Sequence, residues 1–209
     1  MTVTTMALTD GAVTAAPRRR GRPGYDAEAV LKVAVEVFNE RGYDGTSMED
    51  LSKRLRITKS GIYHHFDSKE DLLTRALDRA LDGLSAIVEE TRSLEAPAID
   101  RLEFLVRGSV RVLVDRLAFV TLLLRVRGNS PVERRALRRR REIDAYIAEL
   151  VTEAEAQGDV RPDVDPVITG RLLFGTVNSL VEWLKPGRRT DPDALADAVC
   201  KVTFDGLRS

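Results

Sequence analysis

The chain has 209 residues, of which 43% are hydrophobic and 32% are charged, and this composition excludes wholesale disorder. The 33 basic residues balance the 33 acidic ones, so a nucleic-acid partner would have to be recognised by a local basic site and not by net charge. The single cysteine, Cys200, excludes an intrachain disulfide, and the apolar runs fall short of the roughly 18 residues that span a membrane. We expect a cytoplasmic protein without a secretory signal.

The N-terminal segment, residues 1–24, has no periodic apolar pattern and is interpreted as a mobile tail. Its last residues include four arginines: Arg18, Arg19, Arg20 and Arg22. They are either solvated or form an arm that reaches the minor groove or flanking phosphates of a duplex, and the sequence leaves both interpretations open.

Helical periodicity begins at Tyr25 and continues almost without a break, with no strand-like alternation, so the sequence predicts an all-α protein. Capping residues divide the first part into three short helices and a long one. These helices are predicted at Asp26–Arg41, from Thr46 or Ser47 to Leu55, at Thr58–His65, and from Ser68 to about Thr91.

Five further helices follow. They are predicted at Ala98–Leu117, Phe119–Arg127, Pro131–Gln157, Pro166–Leu184 and Pro192–Leu207. The last two carry apolar residues on more than one stripe, so a single partner within the chain would leave apolar surface exposed. This pattern predicts a dimer that joins two helices from each subunit.

Residues 46–66 have the spacing of a helix-turn-helix motif. Five apolar residues are expected to fix the crossing of its helices: Leu51, Leu55, Ile57, Ile62 and Phe66. The second helix of the motif presents five residues outward: Lys59, Ser60, Gly61, Tyr63 and His64. Lysine supplies charge for phosphate, small residues permit close approach, and tyrosine and histidine offer donors to the backbone or base edges of DNA.

The stretch from Thr46 to Leu72 closely resembles the DNA-binding domain of TetR/AcrR-type transcriptional regulators. Its most specific part is Tyr63-x-His65-Phe66-x-x-Lys69-x-x-Leu72, and the similarity covers about residues 29–77. Arg56 departs from the pattern, because the family often has glycine at this turn.

The resemblance implies a homodimer that binds double-stranded operator DNA and is released by a small-molecule effector. It implies an N-terminal three-helix helix-turn-helix domain at 25–70, after the tail at 1–24, and a C-terminal helical domain for ligand binding and dimerisation at 71–209. The motif and the resemblance together give eight candidate DNA contacts: Thr46, Thr58, Lys59, Ser60, Gly61, Tyr63, His64 and Lys69.

An effector pocket is expected among the helices of the C-terminal domain, with apolar walls and a few polar groups. The candidate lining residues are Phe104, Leu113, Phe119, Leu123, Tyr146, Phe174 and Asn178. We expect an apolar molecule or an acyl-thioester. The arginine run at 134–141 is either a solvated, partly neutralised face or the site of a phosphate-bearing head group.

Two other classes of function compete with a ligand-responsive repressor. An enzyme using the C-terminal cavity is disfavoured, because no cofactor motif or paired carboxylates are present and the two histidines are adjacent. Adjacent residues on a helix point about 100° apart, so His64 and His65 are poor joint ligands and neither a metal nor a cofactor is expected. A non-specific architectural DNA-binding protein is disfavoured by the zero net charge.

Overall fold

The computed structural model describes residues 26–185, 187, 190–205 and 207. Within these residues the chain forms nine α-helices, one 3₁₀ turn at Leu180–Glu182 and no strand, which confirms the all-α prediction. The helices are α1 Ala27–Arg41, α2 Met48–Leu55, α3 Lys59–Tyr63, α4 Lys69–Arg92, α5 Ala98–Asp115, α6 Leu117–Arg125, α7 Pro131–Ala156, α8 Pro166–Ser179 and α9 Pro192–Phe204. In the described part of the chain, none is long and apolar enough to cross a membrane.

Side-chain caps set the starts of the described α-helices except α5 and α6. Ser47 and Asp50 form a reciprocal capping box at α2, in which the Asp50 carboxylate accepts from the Ser47 backbone N–H at 2.9 Å. Ser130 caps α7 in the predicted way, with Pro131 in the first helical position. The Glu133 carboxylate turns back to accept from the backbone N–H groups of Gly128 and Asn129, which ties the α6–α7 loop to α7.

Several helix ends differ from the prediction. The third helix stops at Tyr63, two residues early. The break between α5 and α6 falls at Arg116, whose backbone leaves the helical region at φ −118° and ψ 33°. The penultimate helix ends at Ser179 and continues only as a 3₁₀ turn. Apolar periodicity does not mark these ends, because it continues across them.

The small core of the helix-turn-helix motif is formed as predicted. Leu51, Leu55 and Ile62 are fully buried and Phe66 is 2% exposed, while Ile57 is partly buried against them. Leu72 and Leu73 in the first turn of α4 are buried in the same core, and α4 also packs against α1, α5, α6 and α7. α4 therefore belongs both to the motif and to the bundle of C-terminal helices.

Candidate nucleic-acid interface

The short helix α3 is held by its apolar side and by its cap. Ile62 is fully buried, and the Thr58 hydroxyl accepts from the Gly61 backbone N–H at 3.2 Å and shares a 2.9 Å hydrogen bond with the Ser60 hydroxyl. The turn before α3 is tight because Arg56 adopts the left-handed conformation, with φ 55° and ψ 38°. These contacts orient the opposite face of α3 away from the core.

That outward face gathers most of the predicted DNA contacts. Lys59, Ser60, Tyr63 and His64 are all exposed there, and Gly61 is partly exposed. The Tyr63 side chain is 48% exposed. Its hydroxyl can therefore reach a phosphate or a base edge.

Lys59 is loosely paired on the same surface. Its ammonium lies 3.5 Å from a carboxylate oxygen of Glu49, which also binds Lys53 at 2.9 Å. These two lysines, with Lys53 as the main hydrogen-bonding partner, lower the pKa of Glu49. Exposed pairs of this kind contribute little to stability, so Lys59 is available to a phosphate.

Thr46 and Lys69 have a different setting from the α3 residues. Thr46 is 2% exposed, and its hydroxyl donates to the Gly42 carbonyl at 2.8 Å. The Lys69 ammonium donates to the carbonyls of Tyr43 and Thr46, at 2.9 and 2.8 Å, and lies 4.3 Å from the centre of the Tyr43 ring. Both residues hold the α1–α2 loop onto α4, and their contact with DNA stays a prediction.

The N-terminal arginines Arg18, Arg19, Arg20 and Arg22 lie outside the described residues. Their predicted contact with DNA stays a prediction.

The seven residues predicted to line the effector pocket do not surround one common cavity in the described part of the chain. Leu113, Phe119, Leu123, Tyr146 and Phe174 are buried, whereas Phe104 and Asn178 are partly exposed. Of these seven residues, Phe119 lines a cavity of about 290 Å³, but that cavity lies between α1 and the α5–α6 corner. The Tyr146 hydroxyl accepts from the Arg101 guanidinium at 3.2 Å, so this predicted polar group already has a protein partner. The pocket stays a prediction.

The arginine run of α7 is divided between internal partners and solvent. Arg135 and Arg139 pair with aspartates of α4, and Arg134 donates to carbonyls of the α6–α7 loop. Arg138 and Arg141 are exposed. The acids that neutralise these arginines come from α4, which the sequence analysis did not predict. The sequence feature that indicates this pairing is the four-residue spacing of Asp78 and Asp82, which matches the spacing of Arg135 and Arg139.

The last helices expose apolar side chains. Ile168 and Leu172 on α8 are 57% and 67% exposed, and Val202 on α9 is 77% exposed. Ile168 and Leu172 are one turn apart and share a face of α8, as expected for a surface that another chain covers.

Comparison with protein families matches both parts of the chain. Residues 30–76 match the model described as bacterial regulatory proteins, tetR family, and residues 95–207 match the model described as tetracyclin repressor-like, C-terminal domain. The second match alone covers more than half of the chain.

Individual relatives agree with these models. A TetR-family regulator of Streptomyces coelicolor A3 has a solved structure that is 52% identical, covers 86% of this chain and 91% of its own, and superposes with a TM-score of 0.79. The transcriptional repressor KstR2 of Rhodococcus jostii is 28% identical over 90% of this chain and 94% of its own. The structure of AibR with isovaleryl coenzyme A and operator DNA is 27% identical, covers 85% of this chain and 97% of its own, and has a TM-score of 0.70.

Proposed function

Because the chain belongs to the TetR family of bacterial regulatory proteins, we propose that it represses transcription by binding operator DNA and is released by a small molecule. Like its family and its relatives, it is a DNA-binding regulator and not an enzyme. The cytoplasm, where such DNA is found, is its proposed location.

The observation that carries the proposal is the outward face of α3. Thr58, Ser60 and Gly61 bring the helix close to the groove, Lys59 binds phosphate, and Tyr63 and His64 donate to phosphates or base edges. Thr46 acts from the loop that precedes α2, and Lys69 acts from the start of α4, where one N–H of its ammonium remains for a phosphate. The arginine tail adds sequence-independent affinity in the flanking minor groove.

A homodimer places two copies of α3 on a palindromic operator. The exposed apolar residues of α8 and α9 support an interface with two-fold symmetry. Half-sites one helical turn apart require the two recognition helices to lie about 34 Å from each other. Release then follows when the effector favours an arrangement in which α4 tilts and this spacing is lost.

The effector is proposed to be an apolar molecule or an acyl-thioester bound within the C-terminal helices. One structural neighbour, AibR, was solved with isovaleryl coenzyme A, and the exposed Arg138 and Arg141 can receive phosphates of such a ligand. Titration of a protein–operator complex with long-chain acyl-coenzyme A, the free acid and coenzyme A alone tests this class. Release by the thioester, weakened by charge reversal at Arg138 and Arg141, supports it; no release by any of the three contradicts it.

The DNA-binding role is tested by selecting bound sequences from a random duplex library. We expect a palindromic site, and we expect Lys59→Ala and Tyr63→Phe to weaken its binding. Lys185→Ala is the matched control, because Lys185 is exposed but lies outside the helix-turn-helix motif. Equal affinity for all duplexes would instead indicate an architectural DNA-binding protein.

A further inference from the structure

One turn of α4 is joined by side chains to the helices on both sides of it. This segment, residues 78–83, follows the turns that close the helix-turn-helix core and precedes those that pack in the C-terminal bundle. Because α4 is continuous from Lys69 to Arg92, a tilt of its C-terminal part reaches the DNA-binding helices through this segment.

The first connection runs to α7 through two arginines. The Arg139 guanidinium donates to Asp78 at 3.1 Å, to Asp82 at 2.7 Å and to the Ser85 hydroxyl at 3.3 Å. Arg135 donates to the same Asp78 carboxylate at 3.1 Å. The planar fork of Arg139 thus spans two carboxylates one helical turn apart, so rotating or sliding α4 against α7 breaks several bonds together.

The second connection runs to the N-terminal helix and to the α5–α6 corner. Arg79 pairs with Glu28 of α1 and lies over the Phe119 ring of α6, at 5.0 Å from its centroid. Arg116, at the end of α5, donates to the Arg79 carbonyl at 2.6 Å. A β-carbon at Gly83 would lie 2.7 Å from the Arg116 guanidinium, so the glycine makes room for this contact.

We propose that Arg139 is a positioning residue for operator binding, which with Asp78 and Asp82 fixes the tilt of α4 and hence of the recognition helix. This inference rests on the proposed function. The Arg139 side chain is 28% exposed and Asp78 is 35% exposed, so water screens their pair less than it screens the fully exposed pairs of the surface. Loss of the clamp broadens the distribution of tilts and lowers the fraction of molecules whose two recognition helices fit the operator.

A double-mutant cycle on operator affinity tests the clamp. Arg139→Gln and Asp78→Asn should each weaken operator binding by about fivefold. The double variant should weaken it by clearly less than the product of these two factors, because each single change already removes the contact between Arg139 and Asp78. Arg101→Gln with Glu153→Gln is the matched control, since that pair also joins two helices but links α5 to α7, away from α4 and from the proposed dimer helices. The control should stay within about twofold of the wild type.

The tilt itself is measured on the DNA-free protein by the distance between two spin labels, at Lys53→Cys in α2 and Glu149→Cys in α7. Both positions are exposed, and burial raises the pKa of the Cys200 thiol to about 11, so the native cysteine competes little for the label. Excess unlabelled chain restricts the measured distances to single chains. We expect Arg139→Gln to broaden the distance distribution and the control pair to leave it unchanged.

Additive effects on operator affinity, or an unchanged distance distribution in Arg139→Gln, would overturn the inference. Thermal unfolding of each variant identifies any loss of affinity that comes from global unfolding. If the wild-type protein selects no specific duplex, the proposed function fails, and the distance measurement alone decides whether the clamp fixes the tilt.

Discussion

Arg56 has a left-handed backbone conformation that glycine would adopt without strain. It occupies the left-handed region between α2 and α3, where a side chain with a β-carbon costs about 1 kcal/mol relative to glycine. We predict that Arg56→Gly raises the free energy of unfolding by about 0.5–1 kcal/mol in urea titrations. Lys53→Gly, inside α2, should lower it by about 1 kcal/mol. A loss of stability in Arg56→Gly would mean that the arginine makes a compensating contact.

Lys69 connects the start of α4 to the α1–α2 loop. Lys69→Ala removes the donors to two backbone carbonyls, and we predict a loss of about 1–3 kcal/mol in the free energy of unfolding. We also predict that the slope of log affinity against log salt falls by about one, because the third N–H is free for a phosphate. An unchanged slope, with reduced stability, would assign Lys69 to the loop alone.

At the scale of helices, the packing of α4 against α5 depends on small residues. A β-carbon at Gly83 would meet Arg116 at 2.7 Å and a methyl group of Val112 at 2.9 Å. We predict that Gly83→Ala destabilises the protein by about 1–2 kcal/mol despite the better helix propensity of alanine, since overpacking outweighs that gain. Gly175→Ala in α8 is the control, because outside its own helix backbone and its chain neighbours no described atom lies within 4 Å of its added β-carbon. Greater stability in Gly83→Ala would show that Arg116 yields easily.

Helix starts were predictable from sequence because their causes are local. A cap needs only a side chain that accepts a hydrogen bond from a backbone N–H two or three residues further along the chain, as at Ser47, Thr58 and Ser130. The partners of the arginine run were not predictable, because Arg139 and Asp78 are 61 residues apart and meet only once α4 and α7 pack. The local sequence pattern likewise predicted the exposed face of α3. It did not predict that Lys69 binds the α1–α2 loop, because the two acceptors of Lys69 are backbone carbonyls, which any residue type carries.

At the scale of the whole molecule, many arginines are paired with acidic residues of other helices. Arg107 binds Glu103 within α5 and also Asp197 of α9, and Arg111 binds Asp193 of α9. Arg135 and Arg139 bind the aspartates of α4. These arginines thus join helix to helix instead of forming a basic surface.

The exposed apolar face of α8 and α9 gives the last prediction. Leu172 is 67% exposed in the isolated chain, so glutamate at this position meets solvent and should leave the fold of the monomer intact. In a dimer closed by α8 and α9 the same carboxylate would be buried without a partner, at a cost of several kcal/mol. We predict that Leu172→Glu is monomeric at micromolar concentration in sedimentation equilibrium, keeps its helical circular dichroism and binds the palindromic operator far more weakly. Leu94→Glu, which alters an exposed leucine next to α4, should remain dimeric. A dimeric Leu172→Glu variant would move the interface elsewhere, and a monomeric wild-type protein would contradict the dimer itself.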